Sequence, residues 1–303
     1  MNVAHWDDVE PEVVDLGPLG YDGYDLGSAA GTRNVGVTRY RVRPGKQSSP
    51  VHVELDEEEI FYVLAGSGLS WQDGSVYEIG PADSIVHRVA EETHTLIAGE
   101  DGLDVLAFGQ RTDPTATYLP RARVLRMGVT VDVSPGPHPF EREAAAGALE
   151  LPEPSPRPDT IVTLGNLESA QGSVRSGLNR IRLDPGRRGP PPHCHSAEEE
   201  IFVVLEGAGT LELWPTPGTQ RLHPGFEYQE HAIRAGHVVS RPPGTRIAHS
   251  LKAGDSGLTY LAYGTRDTND VCYYPRSNKI FWRGVGLIAR VEPLDYEDGE
   301  PED

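Results

Sequence analysis

The sequence predicts an all-β protein built from two copies of one domain, and three observations carry this. Among 303 residues, 34 are Gly and 26 are Pro, and short apolar runs separated by turn signals outnumber windows of helical period. The length suits about two domains. The stretch VTRYRVRPGKQSSPVHVELDEEEIFYVLAGSG, from Val37, also aligns without a gap with LNRIRLDPGRRGPPPHCHSAEEEIFVVLEGAG, from Leu178. The offset is 141, the separation of His193 from His52. A repeat that long means a duplicated domain, because solenoid periods are much shorter.

Taken in order, residues 1–25 read as an acidic arm whose Trp6, Tyr21 and Tyr24 are expected on the outside of the first domain, which spans 26–130. Beyond the gapless block the offset becomes 155: His94 falls on His249, Gly109 on Gly264, Arg111 on Arg266, and Tyr118 and Pro120 on Tyr273 and Pro275. The 14 extra residues of the second copy lie between Gly209 and Gly236. Trp214 to Pro217 and His223 to His231 there read as a longer hairpin loop with Pro and Gly turns. Residues 131–160 form a Pro-rich linker, stiff by composition, with a short helix expected over Glu141 to Leu149. The second domain spans 161–290, and 291–303 form an acidic tail.

The formal net charge of −19 argues against a nucleic-acid partner, because binding that backbone requires Lys and Arg to neutralise phosphates. MNVAHWDDVEPEVV lacks the apolar stretch of a signal peptide, and no run approaches the roughly 18 apolar residues of a membrane span. No membrane partner and a cytoplasmic location are therefore expected. Two cysteines, Cys194 and Cys272, make no disulfide framework.

The most informative stretch is Pro190 to Gly207, PPPHCHSAEEEIFVVLEG. Residues i and i+2 of a strand share a face, so His193 and His195 can hold one ion while Cys194 faces away as a packing residue. Glu200 lies at odd separation from His195. A turn or bulge over Ser196 to Glu199 is therefore required, after which Glu200, Phe202 and Val204 share the inward face. A fourth candidate ligand, His249, stands in GHVVSRPPGTRIAHSL, where Pro242, Pro243 and Gly244 mark a turn between two β-like runs.

These stretches resemble the two sequence motifs of the cupin superfamily. Gly186, His193, His195, Glu200 and Gly207 match the first, with Gly186 one residue further from His193 than usual. Gly236, Pro242, Gly244 and His249 match the second, with His249 two residues late. The resemblance covers nearly the whole chain as a bicupin. It implies tandem antiparallel β-barrels of the jelly-roll, or double-stranded β-helix, type, with a divalent metal held by three histidines and one glutamate in the C-terminal barrel.

The N-terminal copy offers His52, Glu54, Glu59 and His94 as a candidate second site, with Glu54 in place of His195 and His87, Arg88 and Val89 where the PxG turn would be. Two carboxylates about 4 Å apart repel by roughly 4 kcal/mol at an effective dielectric near 20. An oxygen-preferring ion such as Mn²⁺ is compatible with this set, but a degenerate barrel kept for its packing is the preferred reading. Glu57, Glu58, Glu198 and Glu199 read as solvated turns, and His223, His231 and His237 as surface residues. Arg180, Arg182 and Tyr260 are candidates for binding an anionic substrate.

Three imidazoles and a carboxylate leave coordination positions of an octahedral ion open to substrate. The leading reading is a metal-dependent enzyme of dioxygenase or decarboxylase type acting on a small organic substrate, with Fe²⁺ or Mn²⁺ favoured and Phe202, Val204 and Leu251 walling the cavity. The same ligands serve a non-redox isomerase or lyase using Zn²⁺ or Ni²⁺, or a metal-dependent binding or sensing protein without turnover. The catalytic groups are left unassigned, and a homodimer is compatible with the sequence.

Overall fold

A computed structural model describes residues 2–128, 131–132 and 136–301. The expected boundary between first domain and linker, and the last two residues of the acidic tail, lie outside the described residues. Among the described residues the first copy is built on an eight-stranded and a four-stranded sheet, and the second on a seven-stranded and a four-stranded sheet, each larger sheet including one strand from outside its own copy. Every pairing between their strands is antiparallel. Among the described residues no helix is long and apolar enough to cross a membrane.

The longest strands are Glu59–Gln72 paired with His94–Gln110 in the first copy, and Glu200–Pro215 paired with Ile247–Thr265 in the second. Both pairs slip register twice at matching places, between Val63 and Ala65 and Gly66 and Gly68, and between Val204 and Glu206 and Gly207 and Gly209. Glycine is required at these bulges. Gly66 and Gly207 each have φ of +78°, and a Cβ would stand 2.2 Å from the carbonyl oxygen of Gly102 or Gly257.

The near-continuous apolar runs IFYVL and IFVVL follow from strands covered on both faces. Phe61 and Val63 point into the first barrel and Phe202 and Val204 into the second, while Ile60, Tyr62, Ile201 and Val203 fill a core between the barrels. Phe108 and Tyr263 stack there with ring centroids 5.1 Å apart.

The halves also exchange strands. Val3–His5, expected in an outer arm, pairs with His237–Arg241 of the second copy, and Ile161–Thr163, the first strand of the second copy, pairs with Asp83–His87 of the first. Tyr21 likewise lies in the interior of the first barrel, packed edge-on to Tyr40 at 5.2 Å. An arm that supplies an edge strand satisfies backbone groups that an externally packed segment would leave to water.

Reciprocal carboxylates bind the halves together. Glu199, fully buried, accepts the backbone N–H groups of Arg33 (3.0 Å) and Asn34 (2.5 Å) and the Ser240 hydroxyl. Its repeat partner Glu58 accepts those of Val174, Arg175 and Ser176. The solvated-turn reading is wrong for both, and for Glu198, which accepts the Asp267 N–H at 2.8 Å and pairs with Arg283. Three successive glutamates look like a charge run, but their partners lie in distant segments.

The linker is packed rather than free. Its helix, Pro139–Ala145, starts two residues before the expected one, seats Phe140 against the first barrel and buries Glu143 in an ion pair with Arg121 at 2.7 Å. Arg157 then forks onto Asp83 at 2.9 and 2.6 Å. The insertion of the second copy folds as Pro217–Leu222, a one-turn helix with a Thr216 cap, followed by the strand Gln229–Arg234.

Candidate metal centre

His193 and His249 are cross-strand partners: the N–H of each donates to the carbonyl of the other, at 3.2 and 2.8 Å, which puts both rings on the inward face. His195 lies on Cys194–His195, paired with Cys272 of the strand Val271–Tyr274. The turn that Glu200 requires is present and is built by Asp270. Its Oδ1 accepts the backbone N–H groups of Ser196, Ala197 and Glu198 at 3.0, 2.9 and 3.2 Å. Its Oδ2 accepts His195 Nδ1–H at 2.7 Å. One side chain thus reverses the parity of the chain and orients a candidate ligand.

The ligand atoms of His193, Glu200 and His249 lie within 4.8 Å of one another, and His195 joins them through Glu200. Glu200 Oε2 lies 3.4 Å from His193 Nε2, 3.3 Å from His195 Nε2 and 2.8 Å from His249 Nε2. His193 Nδ1–H donates to the Pro191 carbonyl at 2.8 Å, so the Nε2 lone pairs of His193 and His195 are both aimed at the cluster. His195 Nε2 is buried with no hydrogen-bond partner among the described residues. An orphaned imidazole nitrogen beside a carboxylate and two further imidazoles is the donor set a divalent transition ion takes, and these residues fit one.

Burial, the largest influence on His195, opposes its protonation, but the hydrogen bond to Asp270 and the nearby charges of Glu200 and Asp270 outweigh it and raise its pKa to about 10. His249, fully buried, is lowered to about 3 despite Glu200. Burial would raise Glu200, yet its three histidine contacts hold it well below the usual carboxylate range. Without metal the cluster is therefore an imidazolium facing a carboxylate, and a cation entering it displaces a proton.

Phe202, Val204 and Leu251 lie in the apolar cluster inside this barrel, with the Phe202 ring 5.5 Å from that of His249. Tyr260 is buried in the same cluster with its ring 5.9 Å from that of Phe202, whereas Arg180 faces the groove between the barrels and does not stand with the ligands. Two residues that spacing did not reveal do. The Cys272 thiol is buried within 4.8 Å of the ligand nitrogens of His193 and His195. Arg241 faces Glu200 across paired strands. Strand parity with His195 would have found the first, but only after the long-range pairing was known. Cys194 faces away, partly exposed, with burial raising its thiol to about 11.

The N-terminal copy repeats the frame with altered chemistry. His52 Nδ1–H donates to Pro50 at 2.9 Å, and Glu59 Oε2 lies 3.2 Å from His52 Nε2 and 2.8 Å from His94 Nε2. Glu54 is drawn aside, accepting the Thr117 hydroxyl at 2.8 Å and standing 3.8 Å from His52. Burial and the charge of Glu59 raise its pKa. His87 faces Glu59 and stacks on His94 at 3.7 Å, with burial lowering it to about 3. A cavity of about 200 Å³ opens over this cluster, lined by Tyr21, Tyr40, Arg126 and Phe140 among others.

No family model and no curated protein matches the sequence. Solved structures do match the fold. Oxalate decarboxylase from Bacillus subtilis at pH 4.6 superposes with a TM-score of 0.57 and 16% identity, over 86% of this chain and 75% of that one. An arginine-to-alanine mutant of that enzyme gives 0.59 and 16%, over 89% and 78%. A structure used to assign the Mn(II) centres of the same enzyme gives 0.57 and 15%, over 89% and 78%. At such identities the likeness is one of fold, and the fold is the bicupin.

Proposed function

We propose that this bicupin chain is a metal-dependent enzyme of decarboxylase or dioxygenase type, with its centre in the C-terminal barrel. The convergence of His193, His195, Glu200 and His249 around one buried point, with the outer nitrogens of His193 and His195 fixed by hydrogen bonds, carries the reading. An ion there, Mn²⁺ or Fe²⁺ by the mixed nitrogen and oxygen donors, would supply Lewis acidity and, where the ion allows it, redox chemistry.

The chain's own residues do the rest. Asp270 holds His195 in the tautomer that presents Nε2 inward. Phe202, Val204 and Leu251 line an apolar interior that keeps bulk water from a small organic substrate. The Mn(II) centres of the B. subtilis decarboxylase, which shares this fold, support the metal assignment. A cytoplasmic setting, in which both free thiols stay reduced, goes with this reading.

The N-terminal barrel takes a structural part. Its Glu54 is turned toward Thr117, and His52, Glu59 and His94 satisfy one another. Metal-loaded protein should consume O₂ or release CO₂ from small keto acids, diols or phenols in oxygen-electrode and headspace assays. Turnover that survives His193→Ala/His249→Ala would refute the C-terminal placement.

A further inference from the structure

The groove between the barrels holds the same arginine twice, in two different electrostatic states. Arg39 and Arg180 are partners at the 141 offset. Strand alternation sets Arg39 in phase with Val37 and Arg180 with Leu178, and both of those residues face the core between the barrels. Arg39 is already engaged within the protein: it forks onto Asp104 at 2.8 and 2.6 Å and covers the Trp6 ring at 4.3 Å. The counterpart of Asp104 at the 155 offset is Thr259, and strand register agrees, since Asp104 pairs with Arg41 and Thr259 with Arg182. Arg180 is therefore left without a carboxylate. It forms no ion pair within 4 Å among the described residues. Its partners are neutral: Nη1 donates to the Asn166 side chain at 2.9 Å, and the guanidinium opposes the upward shift that burial imposes on the Tyr62 phenol. Its Nε is buried with no partner among the described residues.

A cavity of about 380 Å³ opens along this groove, within the range of small-molecule sites, roughly 300 to 1,000 Å³. Its apolar wall comes from both copies. Leu64 and Pro81 belong to the first and Leu205, the repeat partner of Leu64, to the second, with the Trp6 indole of the arm beside them. Leu64, Leu205 and Trp6 pack on the core between the barrels and carry it to the surface. Four charged side chains line the cavity. Arg39 and Asp104 neutralise each other. Glu206 is exposed, where solvent screens its charge. Half-buried Arg180 is the charge that the protein leaves unbalanced, and a cation with neutral partners beside an apolar wall suits an anion with an apolar body.

We propose that the groove between the barrels is a second ligand site, separate from the metal centre, and that it takes an aromatic carboxylate. The planar guanidinium of Arg180 pairs with the carboxylate, and the ring of the ligand lies against Leu64, Pro81 and Leu205. Arg39 cannot serve in its place, because Asp104 already fills its fork. A ligand held there touches both copies and stabilises the folded chain by mass action.

The test uses the full chain, with 2-naphthoate and its neutral counterpart 2-naphthamide as probes, titration calorimetry as the binding readout and circular dichroism to show that each variant is folded. Wild type should bind naphthoate, melt at a higher temperature in its presence, and bind naphthamide about tenfold or more weakly. Arg180→Gln should bind naphthoate about 10- to 100-fold more weakly than wild type, with Arg180→Lys between the two. His193→Ala/His249→Ala, which removes two metal ligands, should bind naphthoate as wild type does, because the groove lies outside the barrel. Binding lost in that double variant would put the ligand at the metal centre and overturn the proposal while leaving the metal assignment intact. Naphthamide binding as tight as naphthoate, Arg180→Gln binding equal to wild type, or wild type that binds no naphthoate would overturn it equally.

Discussion

Asp270→Asn is the substitution that separates positioning from ligation. Both carboxylate oxygens of Asp270 accept from N–H groups: three backbone amides on Oδ1 and His195 Nδ1–H on Oδ2. An amide presents one acceptor and one donor. If its oxygen keeps the Ser196 to Glu198 turn, its NH₂ faces His195, and the ring is satisfied only by moving its proton to Nε2, the atom aimed at the metal. If the amide turns the other way, its NH₂ meets three backbone donors and the turn that places Glu200 is lost. Either route weakens the site without touching a ligand. Loss of an orienting partner costs about 10- to 100-fold in metal affinity, or roughly 1.4 to 2.8 kcal/mol. Competition against a chelator of known affinity reads this directly, with circular dichroism showing that the variant is folded. Asp270→Asn binding metal within twofold of wild type would refute the account of how His195 is held.

Four further outcomes follow from the same geometry. His195 is raised to about 10 in the metal-free fold and must lose its proton to bind, so apparent metal affinity should rise about tenfold per pH unit between pH 6 and 9, measured by the same competition. The sign for stability is opposite: the metal-free protein keeps the His195 contribution below the unfolded value near 6.5 and loses it as pH rises toward about 10, which thermal melts against pH would show. Glu199→Ala strands two backbone donors and the Ser240 hydroxyl in the buried clasp between the halves and should cost about 3 to 5 kcal/mol in urea unfolding; a loss under 1 kcal/mol would show that the clasp contributes little. Glu54→His should gain little metal affinity by itself, because Thr115 stands where the second copy has Asp270. Adding Thr115→Asp should raise metal stoichiometry above that of the single variant.

The sequence made the ligands legible because both of their signals are local. Alternation along a strand put His193 and His195 on one face, and the odd spacing of Glu200 demanded the turn that the structure contains. The repeat then showed Glu54 as the altered position. What it left hidden depends on contacts between distant segments. Asp270 lies 75 residues from His195, in a loop whose acidic residue looks like any other turn. Arg241 sits against a Pro-Pro-Gly turn, and only strand register shows that it faces Glu200. Glu58 and Glu199 read as solvated because their partners, the backbone amides of the opposite half, carry no side-chain signature. The exchanged strands Val3–His5 and Ile161–Thr163 were missed for the same reason, since a repeat locates copies and says nothing of which sheet an edge strand joins.

The central claim is that the metal centre belongs to the C-terminal barrel, and metal analysis of protein purified without added metal tests it most directly. About one equivalent of a first-row transition ion is expected in wild type, retained in His52→Ala/His94→Ala and lost in His193→Ala/His249→Ala. Metal that stays with the second variant and leaves the first, or wild type carrying none, would contradict it.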